Sequence, residues 1–96
     1  MTPSFTVQTT PRFDREARSL RKRQPDFTKQ LAVAIDPLRH DPYNRSRTHT
    51  IKKLEAVPPG EGQYRLRLRR FRFRYDIEEN TVTLRYCGLR REDTYR

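Results

Sequence analysis

The stretch from Tyr64 to Tyr75 reads Y-R-L-R-L-R-R-F-R-F-R-Y. Apolar and charged residues alternate with period two, the signature of a strand half-buried on one face. The parity switches once. Tyr64, Leu66 and Leu68 fall on even positions, Phe71, Phe73 and Tyr75 on odd ones, and the switch lies at Arg69-Arg70. A two-residue hairpin loop there restores a common face. Leu68 then pairs with Phe71, Leu66 with Phe73 and Tyr64 with Tyr75, as burial on one side requires. The same register sets Arg67 opposite Arg72 and Arg65 opposite Arg74. Like charges directly across a sheet destabilise it, and hairpin loops of this length prefer glycine or asparagine, which this one lacks. Local rules broken together mark a candidate binding surface. A guanidinium stays ionised and donates two hydrogen bonds at once to a phosphate. The competing reading is a solvated face that serves solubility. Ordinary surfaces mix both signs, however, and Asp76 is the one acid placed to continue this face.

Outward from the hairpin, Glu78-Glu79-Asn80 leads into a third strand, Thr81 to Cys87. Its alternation predicts Val82, Leu84 and Tyr86 inward, with Thr83, Arg85 and Cys87 on the arginine face. On the other side, Val57-Pro58-Pro59-Gly60-Glu61-Gly62 is a loop. Before it, Ile51 and Leu54 pin a short segment to the core, with Lys52 and Lys53 between them. Residues 41–50 are polar and irregular. Thr10-Pro11 opens a helix to about Arg23, an N-cap followed by proline at the first helical position. Phe13, Ala17 and Leu20 form its apolar side, and Arg12, Arg15, Arg18, Arg21 and Lys22 the other. A second helix follows Gln24-Pro25-Asp26, with Phe27, Leu31, Ala34, Ile35 and Leu38 on one face. Pro37 predicts a kink or an early last turn there. Phe5 and Val7 alternate with polar residues in a short strand from Ser4 to Thr9. The predicted order is a strand, a helical hairpin and a three-stranded antiparallel meander. That is an α+β domain over residues 1–96, one sheet with its helices on one face.

The chain carries 22 Lys and Arg against 12 acids in 96 residues, a net charge of +10. Such a field attracts polyanions: nucleic acid, an anionic membrane or an acidic protein. No apolar run approaches the roughly 20 residues of a membrane span. The opening residues, Met1 to Phe5, contain no apolar signal region, so cytoplasmic residence is the expectation. Cys87 is the single cysteine, which excludes an internal disulfide and a cysteine-based metal site. It reads as a small packing residue. His40 and His49, without cysteine partners, make a poor metal site, and no metal or other cofactor is expected. His40 reads as an exposed or capping residue. His49 is either a solvated loop residue or a proton-transfer group, since an imidazole titrates at about 6.5.

In this order and spacing the motifs resemble the RelE/ParE toxin superfamily over nearly the whole chain. The resemblance rests on the initial strand ending in Thr-Pro, on L-R-H-D-P at Leu38 to Pro42 and on K-K-L at Lys52 to Leu54. It continues with Y-R-L-R-L at Tyr64 to Leu68, F-R-F-R-Y-D-I at Phe71 to Ile77 and R-R-E-D-T-Y-R at Arg90 to Arg96. RelE-like members are mRNA interferases of type II toxin–antitoxin systems. They enter the A site of the 30S ribosomal subunit and cut the codon there without a metal. A 2′-hydroxyl attacks the adjacent phosphate in line, basic residues stabilise the charged transition state, and a general acid protonates the leaving oxygen. A cognate acidic antitoxin blocks them. ParE-like members share the fold and poison DNA gyrase.

By motif position the resemblance implies catalytic roles for Arg65, Arg67, Arg72, Arg91 and Tyr95. Fixed cations aimed at developing charge lower a barrier, which suits Arg65, Arg67 and Arg72. Arg91 would sit near the leaving group, and Tyr95 would stack on a base or move a proton. Lys52, Lys53, Arg69, Arg70, Arg74, Arg85, Arg90 and His49 are the candidate RNA-contact residues around them. One departure matters. The positions of Arg65 and Arg67 hold lysine in the best-studied type of member, and arginine does not give up its proton. Proton transfer would then fall to Tyr95 or a histidine, or catalysis would rest on charge and positioning. The expected function is an mRNA endoribonuclease acting on the ribosome. The alternatives are a gyrase inhibitor without nuclease activity and a non-catalytic module that binds RNA or antitoxin.

Overall fold

The computed structural model describes residues 4–90. In chain order the elements are β1 (Thr6–Thr9), α1 (Pro11–Arg23), α2 (Phe27–His40), β2 (Ile51–Lys53), β3 (Tyr64–Leu68), β4 (Phe71–Glu78) and β5 (Thr81–Leu89). They form a five-stranded mixed sheet of order β1-β5-β4-β3-β2. The fold class is the α+β arrangement expected from the sequence, with a difference in the sheet. The meander β3-β4-β5 is flanked by two further pairings. The Ile51 segment, expected only to pin the chain to the core, pairs antiparallel with β3 as β2. β1 pairs parallel with β5. A three-residue strand is too short to show alternation, which is why Ile51–Lys53 carries no strand signal in the sequence.

The hairpin has the register that parity dictates: Tyr64 opposite Tyr75, Arg65 opposite Arg74, Leu66 opposite Phe73, Arg67 opposite Arg72 and Leu68 opposite Phe71. Its turn is strained. Arg69 has φ +57°, a left-handed conformation that costs an L-residue about 1–2 kcal/mol. The turn is also held from outside. The Arg90 N–H donates to the Arg70 carbonyl at 2.8 Å, and the Arg90 guanidinium donates to the Arg69 carbonyl at 3.2 Å.

α1 starts at Thr10, whose hydroxyl accepts the Phe13 N–H at 3.1 Å. Its last turn, Arg21, Lys22 and Arg23, places positive charge at the negative end of the helix dipole. α2 has Asp26 at its N-cap without a side-chain cap bond, because that carboxylate receives the Arg70 guanidinium at 2.7 Å. The helix runs through Pro37 to His40. The carbonyl that Pro37 leaves without a donor is that of Val33, a residue 48% exposed, so water can take the place of the missing N–H.

Phe13, Ala17 and Leu20 from α1 and Phe27, Ala34 and Leu38 from α2 pack on Leu66, Phe71, Phe73, Tyr75, Val82 and Leu84. The Phe27 ring sits edge-on to Phe71 at 5.3 Å and stacks on Phe73 at 6.1 Å. The Tyr75 hydroxyl donates to the Pro42 carbonyl at 2.7 Å, which ties the polar segment to the core. Burial pushes the Tyr75 hydroxyl far above the ordinary tyrosine pKa, with the neighbouring Tyr64 and Asp41 adding to it.

A bulge on β5 overturns part of the expected strand. Arg74 pairs with Tyr86 but Tyr75 pairs with Leu84, so Arg85 is the extra residue. Val82 and Leu84 are buried as expected. Beyond the bulge the parity reverses. Tyr86 moves to the arginine face, opposite Arg74, and Cys87 moves into the core, opposite Phe73. Burial, with Glu16 and Asp14 nearby, pushes the Cys87 thiol up to about 12.

Candidate nucleic-acid interface

The face of the sheet away from the helices is built in rows. One row runs Lys52, Arg65, Arg74, Tyr86 across β2, β3, β4 and β5. The next runs Arg67, Arg72, Gly88. A third pairs Asp76 with Thr83, whose hydroxyl accepts the Gln8 amide at 3.0 Å. The strand pleat alone therefore delivers the cations to one surface.

The arginines of this face are not equivalent. The Nε atoms of Arg65 and Arg67 are buried and have no hydrogen-bond partner among the described residues. Neither residue has an ion pair with a carboxylate of a described residue. Burial lowers the Arg65 pKa, and the charges of Arg67, Arg72, Arg90 and Arg74 lower it further. It still remains a cation near neutral pH. Two guanidiniums held against like charge, without a counter-ion among the described residues, are what an incoming phosphate would relieve.

Arg74 is committed elsewhere. It donates to the carbonyls of Gly62 at 3.1 Å and Glu61 at 2.9 Å and so fastens the Val57–Gly62 loop to the sheet. Gly62 lies so close to it that an added Cβ would be 3.0 Å from the Arg74 Cβ. Arg85 is neutralised by Asp76 at 2.8 Å. Asp76 also accepts the N–H groups of Gly62 and Gln63, each at 3.0 Å. Burial pushes this carboxyl up, but the hydrogen bonds from Arg85, Gln63 and Gly62 outweigh it and hold the pKa below the ordinary value.

The other candidates divide. Lys52 lies on the arginine face opposite Arg65. Lys53 does not; its ammonium lies 5.9 Å from the Tyr64 ring centre, on the side where Tyr64 stacks on Tyr75. Arg70 turns toward Asp26 and Gln24 and joins the hairpin to the α1–α2 turn. Arg69 is exposed at the tip. Arg90 lies beside this turn and contributes to the field at Arg65. His49 is drawn toward the end of α2, its Nε2 3.5 Å from Asp41 Oδ2. With Arg67 it lines a cavity of about 400 Å³ between α2 and β3. His40 sits exposed within hydrogen-bond reach of the Asp36 carbonyl, at 3.1 Å. Arg91 and Tyr95 lie outside the described residues.

Sequence reasoning missed two features. Tyr86 reaches the face because of the bulge. Arg12 of α1 comes round the edge of β5 and lies over the Tyr86 ring, 3.9 Å from its centre. Glu16 holds that corner, accepting Arg12 Nε at 3.1 Å and the Cys87 N–H at 3.0 Å. The switch of apolar residues from Val82 and Leu84 to Cys87 and Leu89 was the available signal. Among the described residues no group of His, Cys, Asp and Glu side chains is arranged to hold a metal ion. No helix among them is long and apolar enough to cross a membrane.

No protein-family model matches the chain, and no curated protein matches it by sequence. Its fold is similar to solved structures. One is the archaeal RelE–RelB complex from Pyrococcus horikoshii OT3, with TM-score 0.66 and 20% identity over 94% of this chain and 97% of that one. Another is the RelB–RelE antitoxin–toxin complex from Methanococcus jannaschii, with TM-score 0.58 and 18% identity over 90% and 93%. A third is the toxin–antitoxin complex RelBE2 from Mycobacterium tuberculosis, with TM-score 0.56 and 22% identity over 94% of each chain. At these identities the likeness is one of fold, and the chain has the α+β architecture found in these toxin–antitoxin complexes.

Proposed function

We propose that this chain is the toxin of a type II toxin–antitoxin pair and an endoribonuclease that cuts mRNA on the ribosome. The observation that carries the reading is the pair Arg65 and Arg67 on one sheet face, buried at Nε and without a counter-ion among the described residues. An RNA phosphate seated there would meet fixed donors that need no reorganisation as charge builds up in an in-line attack by the 2′-hydroxyl. Arg72, opposite Arg67, extends the same surface. Arg91 and Tyr95 are proposed for the leaving-group side on the strength of their motif positions. The net charge of +10 supports the toxin role over the antitoxin role, since an acidic antitoxin would complement it.

The test is to induce the protein in cells and in a purified translation system and map mRNA 5′ ends with and without ribosomes. New ends at a fixed codon position, only when ribosomes are present, are expected. Arg67→Ala and Arg72→Ala should each weaken cutting by about 10²-fold or more, the usual scale for losing one such donor. Unchanged cutting by both variants would sink the assignment.

A second reading, gyrase inhibition without RNA cleavage, is favoured by one observation: the side chains at Arg65 and Arg67 cannot serve as proton acceptors. It predicts DNA breaks in induced cells whose mRNA stays intact.

A further inference from the structure

We infer that the 57–62 loop is an autoinhibitory strap: its backbone carbonyls hold Arg74 in reserve, and an RNA phosphate draws that arginine off the strap into the cationic row. The inference rests on the RNA reading above and adds a control on affinity to it. Arg74 stands in line with the proposed phosphate ligands. It pairs with Arg65 across the hairpin, and Lys52 lies beyond Arg65. Neighbouring strands are only about 4.8 Å apart, so a guanidinium from Arg74 can reach a phosphate next to the one at Arg65. The two side chains already sense each other. Burial lowers the Arg65 pKa, and the Arg74 charge is among those that lower it further.

Arg74 turns instead to the strap. Its Nε donates to the Gly62 carbonyl at 3.1 Å, and its Nη2 donates to the Glu61 carbonyl at 2.9 Å. These two donors form one edge of the guanidinium, the fork with which arginine grips two oxygens of a single phosphate. Two successive carbonyls of the strap therefore stand in for phosphate oxygens. The substitution suits the free protein, because like charges opposed across a sheet destabilise it and the carbonyl dipoles offset part of the Arg65–Arg74 repulsion. It is also weaker than what it imitates. The carbonyls bear no net charge, whereas a phosphate offers the same two acceptors and a full negative charge.

The strap keeps its own base when Arg74 leaves. Asp76 accepts the Gly62 and Gln63 N–H groups, each at 3.0 Å. The Gln63 side-chain amide donates to the Val57 carbonyl at 2.9 Å. None of these bonds involves Arg74. The crest, residues 58–61, is exposed, and its one internal backbone bond runs from the Glu61 N–H to the Pro58 carbonyl at 3.3 Å. Carbonyls released there can turn to water. The close fit also shows how to open the clasp. Gly62 is buried, and a Cβ on it would lie 3.0 Å from Arg74 Cβ and 3.3 Å from Arg74 Nε. Gly62→Ala would therefore press the guanidinium off its carbonyls, while Asp76 still holds the strap's base.

The experiment measures binding of the purified chain to a labelled oligouridylate with 2′-fluoro sugars, which cannot be cut, by anisotropy over a salt series. Wild type, Gly62→Ala, Arg74→Gln and the double variant are compared. Gly62→Ala should bind about three- to tenfold tighter than wild type, the scale for no longer giving up one or two hydrogen bonds. Arg74→Gln should make the slope of log K against log salt shallower by about 0.7, one phosphate contact on a single strand. It should also abolish the gain from Gly62→Ala. Nitrogen-15 spectra of the wild type give a readout that needs no variant. RNA should shift the Arg74 Nε–H resonance and leave the Gly62 and Gln63 amides protected from exchange. An unmoved Arg74 Nε–H, an unchanged slope in Arg74→Gln, or a gain that survives in the double variant overturns the strap and leaves the RNA reading standing. So does a folded Gly62→Ala that binds no tighter than wild type. Failure of the wild type to bind at low salt overturns both readings together.

Discussion

Arg67 concentrates the tension between stability and function in one side chain. It faces Arg72 across the hairpin, and its Nε is buried without a partner among the described residues. Like charges opposed in this way cost a few tenths of a kcal/mol to about 1 kcal/mol. Arg67→Gln keeps much of the stem and removes the charge. It should therefore raise the free energy of unfolding by about 0.5 kcal/mol at low salt, read by urea denaturation, while cutting RNA cleavage by about 10²-fold. A variant that lost stability and activity together would show the residue to be structural. Cys87 is the opposite case. It is buried and its thiol is pushed up to about 12, so almost none is thiolate near neutral pH and it should be inert. Alkylation by iodoacetamide should be negligible in the native protein at pH 7.5 and rapid in denaturant.

Among the elements, β4 and β5 do the most to assemble the candidate interface, and Asp76 is the joint between them and the Val57–Gly62 loop. Its carboxylate binds Arg85 and two backbone N–H groups at once. Asp76→Asn would leave Arg85 without its partner and weaken the loop anchor, a loss of about 2–3 kcal/mol for a hydrogen-bonded charged group. The sign with pH follows from its depressed pKa. The stabilisation is fully present above the ordinary aspartate value, about 3.9. It is lost as pH falls through the lower pKa of the folded state. Thermal unfolding should therefore lose more stability between pH 4 and about pH 2 in the wild type than in Asp76→Asn. The β3–β4 hairpin was legible in the sequence because one parity switch admits one register. The β5 bulge uses the same arithmetic, but Tyr86 is apolar enough to fit either face, so the alternation from Val82 read straight through it. The row of arginines was legible, whereas the division between Arg65 or Arg67 and the committed Arg74, Arg85 and Arg70 was not. That division depends on Gly62, Asp76 and Asp26, which lie far from them in sequence or across a turn. The α1 corner was hidden for the same reason: Arg12 and Tyr86 are brought together only by the fold.

At the scale of the whole molecule, a net charge of +10 implies that RNA affinity varies steeply with salt. If Lys52, Arg65, Arg67 and Arg72 each neutralise one phosphate, log K should fall against log salt with a slope of about −3, taking about 0.7 per contact on a single strand. Arg65→Gln should make the slope shallower by about 0.7. A slope near zero would mean that the field does not act on the RNA backbone. The general architecture could be read from the order of periodic segments, β1 included, but not β2 or the pairing of the two outer strands. β1 and β2 are short, and which edge each occupies is decided by packing against the helices.

The parallel pairing of Thr6–Thr9 with Thr81–Leu84 joins the first strand of the described residues to their last. A nascent chain holds β1 without a mate until residues 81–84 have cleared the exit tunnel. β4 likewise has only one neighbour until then. The cationic platform is thus incomplete until β5 has emerged, and a protein proposed to attack translation stays unarmed while its earlier strands are being made.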